Sequence, residues 1–153
     1  AHAGAELAVA AVPAFASGQI APVPQASGAS LVRPLVKADG ELDFTRSAAE
    51  LERLIRAMWP WPRARADLNG ETIQVHRGSI VPPVGAPPGT VVVMGREPVA
   101  ACGENALRLD LVQLPGGKPI SGRQFATSRF FEPGARFTPM TGPSALPLIV
   151  SLD

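Results

Sequence analysis

Residues 64–75 read ARADLNGETIQV. Ala64, Ala66 and Leu68 alternate with Arg65 and Asp67, Asn69-Gly70 is a strong two-residue hairpin signal, and Thr72, Ile73 and Val75 follow on its far side. Alternation of this kind gives a strand one apolar and one solvated face, so the stretch reads as a β-hairpin. Further strands are expected downstream. Residues 90–94 and 99–102 are short apolar runs, and the turn signal Gly103-Glu104-Asn105 leads into Leu107, Leu109 and Leu111 with polar residues between them. A Pro-rich loop covers residues 81–88. Five strands in about fifty residues suggest a small barrel, and an OB-like arrangement fits the strand count and loop spacing.

Upstream of the hairpin, residues 47–58 predict a helix. Ser47 is an N-cap, Glu50 stands at the capping-box position, and Leu51, Leu54, Ile55 and Met58 form an i, i+3, i+4, i+7 stripe. Trp59-Pro60-Trp61-Pro62 ends the helix, because Pro60 has no amide proton and pushes Trp59 out of helical geometry. The fold class is therefore mainly β with short helices, a five-stranded OB-like barrel preceded by a helix. A further short helix is expected over residues 121–128, between Pro115-Gly116-Gly117-Lys118 and the turn Pro133-Gly134.

The whole chain of 153 residues contains 17 Pro and 15 Gly, which favours short elements, while its 46% apolar content suffices for one core. Sustained coiled-coil heptads do not survive that density of breakers. The net charge of +1 is not that of a strongly basic nucleic-acid protein, but its distribution is uneven. From Phe44 to Phe137 there are 12 basic against 8 acidic side chains. One cysteine, Cys102, allows no internal disulfide and points to a reducing compartment. Cys102 and two distant histidines make no metal site.

Leu7, Val9, Ala10, Val12, Phe15 and Ala16 fit one face of a helix that Pro13 weakens and Ser17-Gly18 stops. The run is too short to span a bilayer, so no membrane partner is expected. Residues 19–30 are an uncharged connector of Pro, Ala, Ser and Gly. Residues 138–153 form a Pro-rich tail whose apolar end, residues 146–152, has no evident place. The chain begins with Ala1 rather than Met, as expected of a piece cut from a longer protein.

The string Leu42-Asp43-Phe44, Ser47-Ala48-Ala49-Glu50-Leu51, Ile55-Arg56-Ala57 and Pro60-Trp61-Pro62, followed by Pro88-Gly89-Thr90 and Gln113 to Gly117-Lys118, resembles the C-terminal domain of the methionyl-tRNA formyltransferases. Order and spacing agree from Ala3 to Phe137. The resemblance implies an OB-like domain that follows a Rossmann-type catalytic domain and helps hold initiator methionyl-tRNA. It divides the chain into residues 1–18, a remnant of the last catalytic-domain helix; 19–41, a linker; 42–137, the C-terminal domain; and 138–153, the tail. The Asn, His and Asp constellation of the family lies in the N-terminal domain and is missing here. The chain alone is expected to have no catalytic residues and to transfer no formyl group. No cofactor is implied for it, formyltetrahydrofolate being the donor substrate of the intact, monomeric enzyme. Arg63 departs from the family, which usually has glycine there, and Leu31 and Pro34 stand where an aromatic and a lysine are common.

Arg56, Lys118, Arg123 and Arg129 are the candidate nucleic-acid-binding residues, because phosphate contacts require position and charge rather than base recognition. Anchoring of the helix to the barrel is the alternative for Arg56, and a solvated charged face for the other three. Together with Arg136, the last three make the section from Lys118 to Phe137 basic against Glu132 alone. Trp59 and Trp61 are expected to pack rather than to stack on bases. Cys102 is read as a small core residue, His76 as a surface or half-buried one, and Glu50 as a cap. A second reading is a structural accessory domain of a sugar or folate formyltransferase that touches no nucleic acid.

Overall fold

The computed structural model describes residues 2–24, 28, 30–140 and 149–151, the side chains of the last three excepted. It divides into two compact units, one of residues 1–33 with 148–153 and one of residues 34–147.

In the smaller unit, helix α1 (His2–Ala16) runs through Pro13, whose ring nitrogen leaves the Val9 carbonyl without its usual donor. Gly18, at φ +73°, ends the helix: Gln19 N–H donates to the Ala14 carbonyl and Gly18 N–H to that of Phe15. These are the two bonds of a Schellman cap, which needs a left-handed residue at this point. No α1 side chain is buried, and Leu7, Val9, Val12 and Phe15 all stand exposed. Strand β1 (Ser30–Val32) pairs antiparallel with the last strand of the chain, β9 (Ile149–Ser151). The apolar run at the end of the tail thus finds a partner that its own sequence does not announce. The rest of that run, the tail over residues 141–148, and connector residues 25–27 and 29 lie outside the described residues.

The larger unit begins with a 3-10 turn (Lys37–Gly40) and then helix α2 (Ala48–Ala57), capped by Ser47. The Ser47 hydroxyl accepts from the Glu50 amide, and the Glu50 carboxylate accepts from the Ser47 N–H, as the capping box requires. Ala48, Leu51 and Ile55 are buried and form the apolar stripe. The start of α2 is tied to the turn at residues 103–105, where Ala48 N–H donates to the Glu104 carbonyl and Gly103 N–H to those of Phe44 and Arg46.

Strands β2 (Ala64–Leu68) and β3 (Glu71–Val81) form the expected hairpin, with Asn69 at φ +56° and Gly70 at φ +84°. Then come β4 (Val91–Met94), β5 (Glu97–Ala101), β6 (Ala106–Gln113), β7 (Pro119–Ser121), helix α3 (Gly122–Ala126) and β8 (Phe137–Thr138). They make one antiparallel sheet in the order β4-β5-β6-β3-β2-β8, with β7 pairing β6 beyond the end of β5. All five expected strands are present. The two extra ones, β7 and β8, are three and two residues long and so carry no alternation to read. Residues 134–137 also bond β4: Gly134 N–H donates to the Val91 carbonyl, Val91 N–H to that of Ala135, and Phe137 N–H to that of Gly89. One short segment therefore contacts both β4 and β2.

The core lies between α2, α3 and one face of the sheet, with Leu51, Leu68, Ile73, Leu107, Leu109 and Phe125 fully buried. Phe44 stacks on Phe137 with ring centres 4.7 Å apart. Strands β3 and β6 lose register on either side of Arg77. Up to that point Ile73 and Val75 point inward. Continued alternation would drive Arg77 into the core, but His76 is an unpaired extra residue opposite Val112 and Leu111, so Arg77 emerges on the solvent side. Gly78 then takes the inward place, where a Cβ would come within 2.9 Å of Leu107 Cδ1.

Candidate nucleic-acid interface

The displaced register opens a groove between the end of α2 and strands β3 and β6. Its deeper part, about 530 Å³, is walled by Ile55, Trp59, Leu111, Arg56, His76 and Arg77. A second recess of about 470 Å³, lined by Arg108, Asp110, Glu97 and Arg123, continues from it, since Arg77 and Ser79 line both.

Three of the four arginines here carry acidic partners. Arg56 donates to Glu52 at 2.6 Å, Arg108 to Asp110 at 2.6 Å, and Arg123 to Glu97 at 2.5 Å. The Ser79 hydroxyl also donates to Asp110 at 2.6 Å. Arg77 is exposed and has no acidic partner among the described residues. The Arg56 and Arg123 side chains are 67% and 68% exposed, so their ion pairs are screened by solvent and yield readily to an incoming phosphate. Among the described residues, the hydrogen bonds of the Arg56 guanidinium go to Glu52 of its own helix. Its guanidinium is held charged by the Glu52 carboxylate.

The candidate residues are distributed unequally. Arg56 and Arg123 meet along the groove, with Arg77 between them. Lys118 is exposed in the turn between β6 and β7. That turn is tethered by Gln113, whose side-chain amide donates to the Gly117 carbonyl at 2.8 Å while its oxygen accepts from Arg63 at 3.3 Å. Arg129 stands elsewhere, over the Phe130 ring in a recess beside the β2–β3 hairpin. Arg136 donates to the Pro88 carbonyl at 2.8 Å.

The expectation that Trp59 and Trp61 pack in the core is overturned: they are 56% and 52% exposed. The alternating prolines end the helix and turn the chain, and neither indole is carried inward. Trp59 lies beside His76, ring centres 5.3 Å apart, with the Arg63 guanidinium 5.4 Å from its own ring centre. Burial lowers the His76 pKa and the Arg63 charge lowers it further, with Gln113 opposing both. His76 Nε2 is buried without a hydrogen-bond partner. Cys102 is buried, which pushes its thiol up to about 11. No group of three metal-ligating side chains occurs among the described residues, and no helix there is long and apolar enough to cross a membrane. Sequence reasoning passed over Arg77 and Arg108, and noted Arg63 only as a departure from the family pattern. The available signal was an arginine and a glycine, Arg77-Gly78, breaking the alternation begun by Ile73 and Val75.

Comparison with known proteins agrees with this architecture. The chain is 39% identical over 127 residues to the methionyl-tRNA formyltransferase of Myxococcus xanthus (strain DK1622), covering 82% of this chain and 40% of that protein. It is 42% identical over 135 residues to that of Stutzerimonas stutzeri (strain A1501), covering 86% and 43%. The chain thus spans less than half the length of these relatives. Among solved structures it is similar in fold to HypX from Aquifex aeolicus in complex with tetrahydrofolic acid, with a TM-score of 0.59 at 14% identity over 80% of this chain and 22% of that one. The family model described as "Formyl transferase, C-terminal domain" matches residues 34–129, more than half of the chain. The chain therefore belongs to the formyl transferase C-terminal domain family.

Proposed function

We propose that this chain is the C-terminal, tRNA-binding portion of a methionyl-tRNA formyltransferase, the enzyme that formylates the amino group of methionyl initiator tRNA with a formyl-folate donor at translation initiation. The observation that carries this reading is the identity of 39% and 42%, over most of the chain, to proteins of that name. Residues 1–18 are then the last helix of a Rossmann-type catalytic domain, residues 19–41 the linker, residues 42–137 an OB-like barrel and residues 138–153 the tail. The exposed apolar side chains of α1 suit a helix whose partner lies in that catalytic domain. The bonds of residues 134–137 to β4, and of Phe137 and Thr138 to β2, suit a sheet curled into a barrel. The intact enzyme acts as a cytoplasmic monomer, and its chemistry belongs to the catalytic half.

Arg56, Lys118, Arg123 and Arg129 hold tRNA through its phosphates. A folded RNA presents backbone and groove shape more readily than base edges, so such a module contributes orientation and charge. The test is the double substitution Lys118→Glu with Arg123→Glu in the intact enzyme. It is expected to raise KM for tRNA several-fold and leave KM for the formyl donor unchanged. An unchanged KM for tRNA favours the accessory-domain reading instead.

A further inference from the structure

We propose that the groove between α2 and strands β3 and β6 binds one unstacked nucleotide of RNA, its base against Trp59 and its phosphate on Arg77. The inference rests on the tRNA-binding reading and deepens it, since phosphate contacts alone ask for no apolar floor.

The bulge is the first support. It turns an arginine that alternation would bury to the solvent side and places it in the groove wall, with Gly78 in the tight inward position. Bulges commonly re-aim side chains at functional sites. Charge is the second. Arg56, Arg108 and Arg123 each hold an acidic neighbour, whereas Arg77 has no acidic partner among the described residues and can take a phosphate group without giving up an ion pair. A guanidinium offers that group a forked, two-bond contact.

The wall beside Arg77 is the third support. Ile55, Leu111 and the half-exposed Trp59 make it apolar, and Arg63 lies against the indole. An indole fixed at the rim of a basic groove is a stacking platform for any base. The volume of about 530 Å³ is of the size that takes a small ligand, and a base with its ribose belongs to that class. Paired, helical RNA offers this wall nothing, because its bases are stacked on one another. The occupant is therefore a nucleotide from a loop or an unpaired end.

The test uses the full chain with Trp61→Phe, which leaves Trp59 as its only indole. Fluorescence is followed during titration with initiator tRNA, with a single-stranded oligoadenylate, and with an RNA duplex of matched length. The expected result is quenching by tRNA and oligoadenylate but not by the duplex. Trp59→Ala should weaken oligoadenylate binding about 10- to 100-fold, with Trp59→Phe losing much less. Arg77→Gln should weaken it and reduce the salt slope by about one. Circular dichroism checks that each variant is folded, and Trp59→Phe and Arg77→Gln decide the matter should Trp59→Ala unfold. Undiminished tRNA binding by the Trp59→Ala and Arg77→Gln variants, or binding without quenching, overturns the site while leaving the tRNA reading intact. Failure of the unsubstituted chain to bind tRNA at low salt overturns both.

Discussion

Gly40 is seated directly against the backbone carbonyl of Arg63, so closely that a Cβ on Gly40 would overlap that oxygen. Two residues on, Leu42 N–H donates to the Arg65 carbonyl at 2.8 Å, and the Arg65 and Glu41 side chains are ion-paired at 3.2 Å. The segment entering the larger unit is thereby laid along the start of β2. Gly40→Ala must push the two backbones apart, because the obstructing atom is main chain. The expected cost is about 1–3 kcal/mol, measured as a lower urea midpoint at unchanged slope.

Arg63 itself has φ +70°, the left-handed region that glycine occupies freely. Its side chain compensates by bonding the Pro60 carbonyl, Gln74 and Gln113 and by lying over Trp59. Arg63→Ala keeps the backbone strain and loses those contacts, whereas Arg63→Gly loses the contacts and relieves the strain. The glycine variant should therefore be the more stable of the two by about 1 kcal/mol in chemical denaturation.

Glu50 caps α2, and the side-chain hydrogen bond from Arg46, with those from Ser47, draws its carboxyl down to about 2 from an ordinary 4.5. A carboxyl depressed in the folded state contributes stability that is complete above its unfolded value. That contribution is lost as pH falls from 4.5 toward 2. Glu50→Gln should be less stable than the parent at pH 7, and the gap should close across that window in thermal unfolding at stepped pH.

Cys102 lies in the core with its thiol held near 11, so little thiolate exists near neutral pH. A thiol reagent at pH 8 should label the folded chain slowly and the urea-unfolded chain at the ordinary rate. Fast labelling of the native chain would place Cys102 outside the core.

Much of this architecture is legible in the sequence where periodicity is long enough to speak. The cap at Ser47 with Glu50, the stripe of α2 and the Asn69-Gly70 hairpin all follow from local chemistry and all occur. Strands β7 and β8 do not, since three and two residues carry no period. The groove was hidden for a different reason. Its walls come from α2, β3, β6 and α3, and only the slip of one strand past another brings Arg56, Arg77 and Arg123 to one surface. Bulk suggested that the indoles pack, whereas the two prolines that end the helix leave Trp59 and Trp61 half in solvent.

The most direct test of the account is the affinity of this chain for initiator tRNA across a salt series. Beyond the Arg77 contact, four phosphate contacts, from Arg56, Lys118, Arg123 and Arg129, contribute about −3 to the log–log slope, at roughly 0.7–0.9 per contact. Replacing any one of the four by glutamine should flatten that slope by about one. A salt-independent affinity, or a slope unmoved by all four substitutions, would contradict the assignment of this surface to RNA.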